Sequence, residues 1–211
     1  MKLITLSGLD GSGKSTQIEL LKKFLESQGK SFWYFHAVEF SVGNLIDVRR
    51  LHRRRPTSTS VARANWLQIQ LRKIALLIDV FRFRRLLKKK KVDYVISDRY
   101  FFDTVVNISF LSSCHSRESG NPEKNETGSP IRSGMTNWIE KFIPKSDFAF
   151  YIKVSPEKIM RRERKPDQGI EYLKAKEKLF ESKIKDWDMI VIDGEKNKEE
   201  IFEEIKSKIN V

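Results

Sequence analysis

One stretch, Gly8-Leu9-Asp10-Gly11-Ser12-Gly13-Lys14-Ser15-Thr16, constrains this chain more than any other. It satisfies the pattern G-x-x-x-x-G-K-[ST], and its surroundings supply the structural context that pattern needs. Residues 2–7 are β-prone, while Ile18, Leu21 and Leu25 recur at helical spacing up to Gly29, a natural helix C-cap. A strand, a glycine-rich turn and a helix, in that order, let consecutive backbone N–H groups converge on one anion. Glycine makes this possible because no Cβ obstructs the curl. The helix adds the positive end of its dipole. Lys14 is then the cation that reaches the β- and γ-phosphates, and the Ser15 hydroxyl is a ligand for Mg²⁺. Residues 8–16 therefore read as a nucleotide-binding P-loop.

The rest of the chain is expected to build a single domain over residues 1–211. Its 211 residues, 39% of them hydrophobic, suffice for one substantial core. Folding at that size buries about 70–75% of the chain's surface. No run of ~18 apolar residues occurs, so no transmembrane helix is expected. The first strand starts at Lys2, so no signal peptide is expected either. Cys114 is the only cysteine, which excludes an intramolecular disulfide and points to a reducing cytoplasm. A net charge of +13 calls for an anionic partner. Nucleotide phosphates and nucleic acid both meet that demand.

Further along, residues 31–35 read as a second strand, apolar on both faces as in the interior of a parallel sheet. Residues 36–43 read as a loop. An arginine-rich run at 49–55 reads as a solvated basic helix face, and Ser58 or Ser60 as the cap of the next helix. In that helix Leu67, Leu71, Ile74, Ile78 and Phe81 form a stripe expected to be core or a dimer seam. Residues 94–97 are the third strand and lead into Asp98-Arg99-Tyr100. Apolar periodicity then disappears across residues 112–136, whose composition resembles the translation of a palindromic intergenic repeat. That segment is expected to be an inserted surface loop. Cys114 and His115 are adjacent within it and make no metal cage.

Residues 138–142 read as a short helix and 148–152 as the fourth strand. Ser155 is the expected cap of a helix with Pro156 at its first position. Residues 161–169 are basic and then broken by proline and glycine, as a mobile lid would be. A helix over 170–184, a fifth strand over 189–192 and a helix marked by Ile201, Ile205 and Ile209 complete the chain. This alternation predicts an α/β fold, a doubly wound five-stranded parallel sheet flanked by helices. Ligands in such sheets lie beyond the carboxyl ends of the strands. The P-loop, residues 36–43, Asp98-Arg99, the lid and Asp193-Gly194 all fall at those ends.

Several side chains suit phosphate chemistry. Asp98, at the end of an apolar strand, is placed to organise Mg²⁺, with helix capping as the alternative. Arg99 fits a phosphate contact, or else a structural ion pair. Arg161, Arg162 and Arg164 can bring positive charge to a phosphoryl group in transfer, where one arginine is worth about 10³–10⁵ in rate. A solvated basic helix end is the alternative for them.

Taken together, the P-loop, Asp98-Arg99-Tyr100, the segment Pro156-Glu157 to Arg162 and Ile192-Asp193-Gly194 resemble the thymidylate kinase family. The resemblance covers nearly the whole chain outside 112–136. It implies a P-loop kinase fold with a lid, a homodimer, and transfer of the γ-phosphate of ATP to dTMP with Mg²⁺. It implies that Asp10 faces the acceptor's sugar hydroxyl and Arg99 its phosphate. Phe81 and Arg82 then stack on and read the base. Lys14, Asp98, Arg99, Arg162 and Arg164 become the catalytic set, with Ser15 and Asp98 as metal ligands. Gly11 stands where some members carry an arginine, which leaves that charge to the lid.

Three positions depart from the family pattern. Residues 36–40 lack an arginine, Asp103 stands where serine is usual, and residues 165–173 differ from the common lid. They bear on the acceptor more than on the reaction, so a kinase of another nucleotide or small acceptor is the first alternative. A nucleotide-dependent nucleic-acid-binding protein is the second, suggested by the charge and the 49–55 arginines. No RNA-binding signature accompanies them. No Asn-Lys-x-Asp follows an apolar strand, so a guanine-specific switch is not expected.

Overall fold

Strands β1 (Lys2–Gly8), β2 (Phe32–His36), β3 (Tyr94–Asp98), β4 (Phe148–Lys153) and β5 (Ile190–Asp193) form one parallel sheet in the order β2-β3-β1-β4-β5. The computed structural model describes residues 1–42, 66–118, 137–163 and 166–209. Register is continuous across the sheet: Lys2 lies opposite Tyr94, Ile4 opposite Phe148, Phe32 opposite Tyr94, and Phe150 opposite Ile190. Chain order reverses on either side of β1, the topological switch point at which doubly wound sheets hold ligands.

Among the described residues the helices are α1 (Lys14–Ser27), α2 (Ala37–Phe40), α3 (Trp66–Lys89), α4 (Phe101–Glu118), α5 (Asn137–Glu140), α6 (Pro156–Met160), α7 (Gly169–Glu181) and α8 (Lys198–Ile209). In one group α1 packs on α8, where Phe24 meets Phe202 edge-on at 6.0 Å. In the other, α4 packs between α3 and α7. The sheet lies within a core formed by Leu3, Ile4, Leu6, Val95, Ile96, Phe150 and Ile152. Gly29 takes a left-handed φ of 64° just past the cap of α1 and donates to the Glu26 carbonyl, so it ends the helix as expected.

Five local expectations need correction. β2 is an edge strand, not an interior one, and its apolar faces are covered instead by side chains from flanking helices. Trp33 stacks on Phe83, and the Lys22 ammonium lies 3.8 Å from the centre of the Tyr34 ring. Residues 37–40 form the short helix α2 rather than loop; the Nδ1 of His36 accepts from the Glu39 N–H and caps it. Ser155 stands at the N-cap of α6 but makes no capping bond, because its hydroxyl donates to Glu195 at 2.6 Å. Helix α4 continues to Glu118, so the first residues of the 112–136 segment are helical.

The fifth correction concerns α3. Its inward residues are Ile69, Lys73, Leu76, Val80 and Phe83, spaced alternately four and three apart. Phe83 sits 4.3 Å from the ring centre of Phe35 and 5.3 Å from that of Phe101. The anticipated stripe is the other face: Leu67, Ile74, Ile78 and Phe81 are exposed and Leu71 partly so, which excludes the core alternative for it and leaves that of a dimer seam. Both faces are apolar at the same period, so spacing alone could not tell which one meets the sheet. The arginines at 49–55, Ser58 and Ser60 lie outside the described residues, as do the side chains of Cys114 and His115, and no helix among the described residues is long and apolar enough to cross a membrane.

Candidate active site

The loop between β1 and α1 closes through a turn in which the Ser12 N–H donates to the Leu9 carbonyl at 3.1 Å. Gly13 caps α1 at a φ of 98°, a region that side-chain-bearing residues avoid. Gly8, at a φ of 151°, is needed for space as well: a Cβ there would lie 2.7 Å from the Ile152 carbonyl oxygen of β4. The neighbouring strand thus presses on the loop's first glycine and fixes where the curl begins.

Lys14 folds into this curl. Its ammonium donates to the carbonyls of Gly8 and Leu9 at 2.8 and 2.7 Å, and only 5% of the residue is exposed. Burial lowers its pKa to about 8, against the pull of Asp103. Ser15 opens α1 and is solvent-exposed, with its hydroxyl at the helix N-terminus.

Three carboxylates face these groups. Asp98 ends β3 almost fully buried. Its Oδ2 accepts from the Tyr34 hydroxyl at 3.4 Å and lies 3.9 Å from His36, while Oδ1 has no hydrogen-bond partner. The carboxylate therefore does not cap α4. An unsatisfied buried carboxylate oxygen suits a hard cation completed by phosphate oxygens and water. No group of three or more acidic, histidine or cysteine side chains among the described residues could hold a metal alone. Asp10, inside the loop, is gripped from two sides: Arg99 reaches its Oδ1 at 2.5 Å and Lys176 its Oδ2 at 3.6 Å. Burial raises its pKa, but Lys176 and Arg99 outweigh that and hold it below the usual carboxylate value. Asp103, in the first turn of α4, is buried and accepts from the Ser7 hydroxyl at 2.6 Å. Burial leaves its pKa raised despite Lys14, Ser7, Lys176 and Arg99.

Arg99 adopts a left-handed φ of 51°, unusual for a residue with a side chain. Its N–H donates to the Leu6 carbonyl, and Asp10 anchors its guanidinium. Strain of about 1–3 kcal/mol held this way is typical of functional positions. From the segment that follows α6, Arg162 donates to the Gly11 carbonyl of the P-loop.

The structure thus brings together Lys14, Ser15, Asp98, Arg99, Asp10 and Arg162. It does not bring Phe81 or Arg82 to them. Phe81 is half exposed against Phe142, with ring centres 5.8 Å apart. Arg82 donates to the Phe40 carbonyl and to Asp79, and it stacks over the Phe40 ring. Asp79 in turn accepts from Ser41 and Val42, so Arg82 helps pin the segment after β2. Arg161 is exposed, and Arg164 lies outside the described residues. Sequence reasoning missed Lys176. Its signal was slight, a lysine on the same helical row as Tyr172, Leu179 and Phe180.

Comparison with known proteins follows the same line. No family model matches the chain. A thymidylate kinase of Thermosipho africanus is 27% identical over 213 residues, covering 97% of this chain and 95% of that protein. A probable thymidylate kinase of Saccharolobus solfataricus is 24% identical over 208 residues, covering 96% and 94%. The solved thymidylate kinase of Candida albicans superposes with a TM-score of 0.67 at 19% identity, over 99% of this chain and 91% of that one. At that identity it establishes the fold, a five-stranded parallel sheet flanked by helices in the P-loop kinase arrangement.

Lys14 yields a signed pH prediction. Below about pH 8 its ammonium is charged in both folded and unfolded chains, so the folded state bears the whole desolvation cost. That cost fades as pH rises from about 8 towards the ordinary lysine value, because the unfolded chain then binds more protons. Relative to wild type, Lys14→Met should therefore lose stability advantage across that window by about 1–3 kcal/mol. Paired thermal melts at stepped pH check this, and a difference that stays flat with pH contradicts it.

Proposed function

We propose that this chain, which belongs to the thymidylate kinase family, transfers the γ-phosphate of ATP to dTMP, giving ADP and dTDP. The observation that carries the reading is that two arginines from distant segments meet the P-loop. Arg99 pairs with Asp10, and Arg162 reaches the carbonyl of the next residue, Gly11. Phosphoryl transfer between two polyanions needs this arrangement, since catalysis is chiefly positioning and charge neutralisation.

In this reading the P-loop amides and Lys14 hold the donor's phosphates. Lys14 exchanges its carbonyl partners on Gly8 and Leu9 for phosphate oxygens, which offset the cost of its burial. Arg99 meets the acceptor phosphate, with Asp10 orienting the guanidinium and facing the acceptor's sugar. Arg162 places charge on the group in transit, and its segment excludes water from the site. Ser15 and Asp98 would hold Mg²⁺, which when bound neutralises charge on the donor's β- and γ-oxygens. Arg164 is the second lid arginine of the proposed catalytic set.

A kinase for another nucleotide or small acceptor is the second reading. It is favoured by the absence of arginine from residues 36–40 and by the engagement of Arg82 with Phe40 and Asp79. Initial rates with ATP·Mg²⁺ and a panel of nucleoside monophosphates decide the matter. We expect kcat/KM for dTMP to exceed that of every other monophosphate at least tenfold. Equal rates across the panel would transfer the proposal to the second reading. No nucleic-acid role is needed to account for the charge.

We further propose that the exposed stripe of Leu67, Ile74, Ile78 and Phe81 is the seam of a homodimer. A contiguous apolar face of this kind on a monomer marks an interaction surface. Ile74→Glu with Ile78→Glu should turn a dimer into a monomer in sedimentation experiments. An unchanged sedimentation coefficient would place the interface elsewhere.

A further inference from the structure

The site holds more charge than phosphate binding alone requires. Asp103 is 3% exposed and Lys176 only 2%, yet the proposed transfer gives neither a role. A buried carboxylate beside a phosphate nest is costly, because it repels the ligand that the nest is built to hold. The position is otherwise suited to a neutral hydroxyl: Asp103 lies one hydrogen bond from Ser7, at the last turn of β1 before the loop begins.

Lys176 projects from α7 into the same space. Its ammonium lies 3.6 Å from Asp10 Oδ2 and donates to the Tyr172 hydroxyl at 3.1 Å, and α7 packs directly on α4, the helix that carries Asp103. Around the loop Asp10, Asp98 and Asp103 face Lys14, Arg99 and Lys176, with Arg162 held at the Gly11 carbonyl. Without Lys176, three cations would face three carboxylates before a polyphosphate arrives.

We infer that Lys176 is a positioning residue for the phosphate nest: it compensates the extra buried carboxylate of Asp103 and shares Asp10 with Arg99, so that Lys14 and Arg99 keep their charge for substrate. The effect of Lys176 on both Asp10 and Asp103 accords with this. The inference rests on the P-loop holding the phosphates of a nucleotide, and its test separates the two claims.

Equilibrium binding of a fluorescent ATP analogue, with and without Mg²⁺, supplies the readout. Wild-type protein that fails to bind the analogue overturns the proposed function itself. Given wild-type binding, Lys176→Met should weaken the analogue at least tenfold, and Lys176→Arg should recover most of that loss. Adding Asp103→Ser to Lys176→Met should restore affinity to within about threefold of wild type, since the uncompensated carboxylate is then gone. A merely structural lysine would not be rescued by removing an acid on another helix. Lys176→Met binding as tightly as wild type overturns the inference, and so does a folded double variant that stays as weak as the single one. Should Lys176→Met fail to fold, Asp103→Ser alone decides: it should tighten the analogue severalfold, and unchanged or weaker binding overturns the inference.

Discussion

Everything at the carboxyl end of this sheet depends on how Asp10 is held. Its carboxylate lies inside the P-loop, and it remains ionised because Arg99 pairs with one of its oxygens and Lys176 lies near the other. The three residues come from three distant parts of the chain: the P-loop, the end of β3 and the middle of α7. Their ion pairs tie those elements together and set the orientation of Arg99. The guanidinium is anchored at one end by Asp10 and at the other by a strained backbone, so its position does not drift. Part-buried pairs of this sort contribute little to net stability, because desolvation offsets much of the attraction. Their value lies in fixing geometry.

Lys14 follows the same logic with the opposite outcome. Its ammonium is buried against its own loop's carbonyls, and burial depresses its pKa. A cation kept under-solvated in this way is poised to take a better partner. Sites that bind charged ligands give up stability in the free protein for this reason. The unsatisfied Oδ1 of Asp98 is a second instance in the same pocket.

Much of this was legible in the sequence because local patterns dictate it. The P-loop glycines, the order of strands and helices and the strand-end positions of Asp98 and Arg99 all follow from spacing within about twenty residues. What escaped was set by partners far along the chain. Lys176 lies on a helix with other apolar and charged residues, and nothing local marks it as meeting Asp10. Ser155 has the right neighbours for a cap, yet Glu195 captures its hydroxyl. The two apolar faces of α3 share one period, so only the sheet decides that Phe83 turns inward and Phe81 outward. β2 looked interior because aromatic residues on both faces mimic a buried strand; flanking helices cover them although the strand is at the edge.

In the proposed reaction two polyanions occupy one nest together, the donor beside Arg162 and the acceptor beside Arg99. Titration calorimetry with an adenosine–thymidine analogue linked through five phosphates, beside ADP and dTMP measured singly, probes that joint occupancy. The linked molecule should bind at least a hundredfold tighter than either nucleotide, with one equivalent per chain. A linked molecule no tighter than ADP would mean that the two sides do not form a single site.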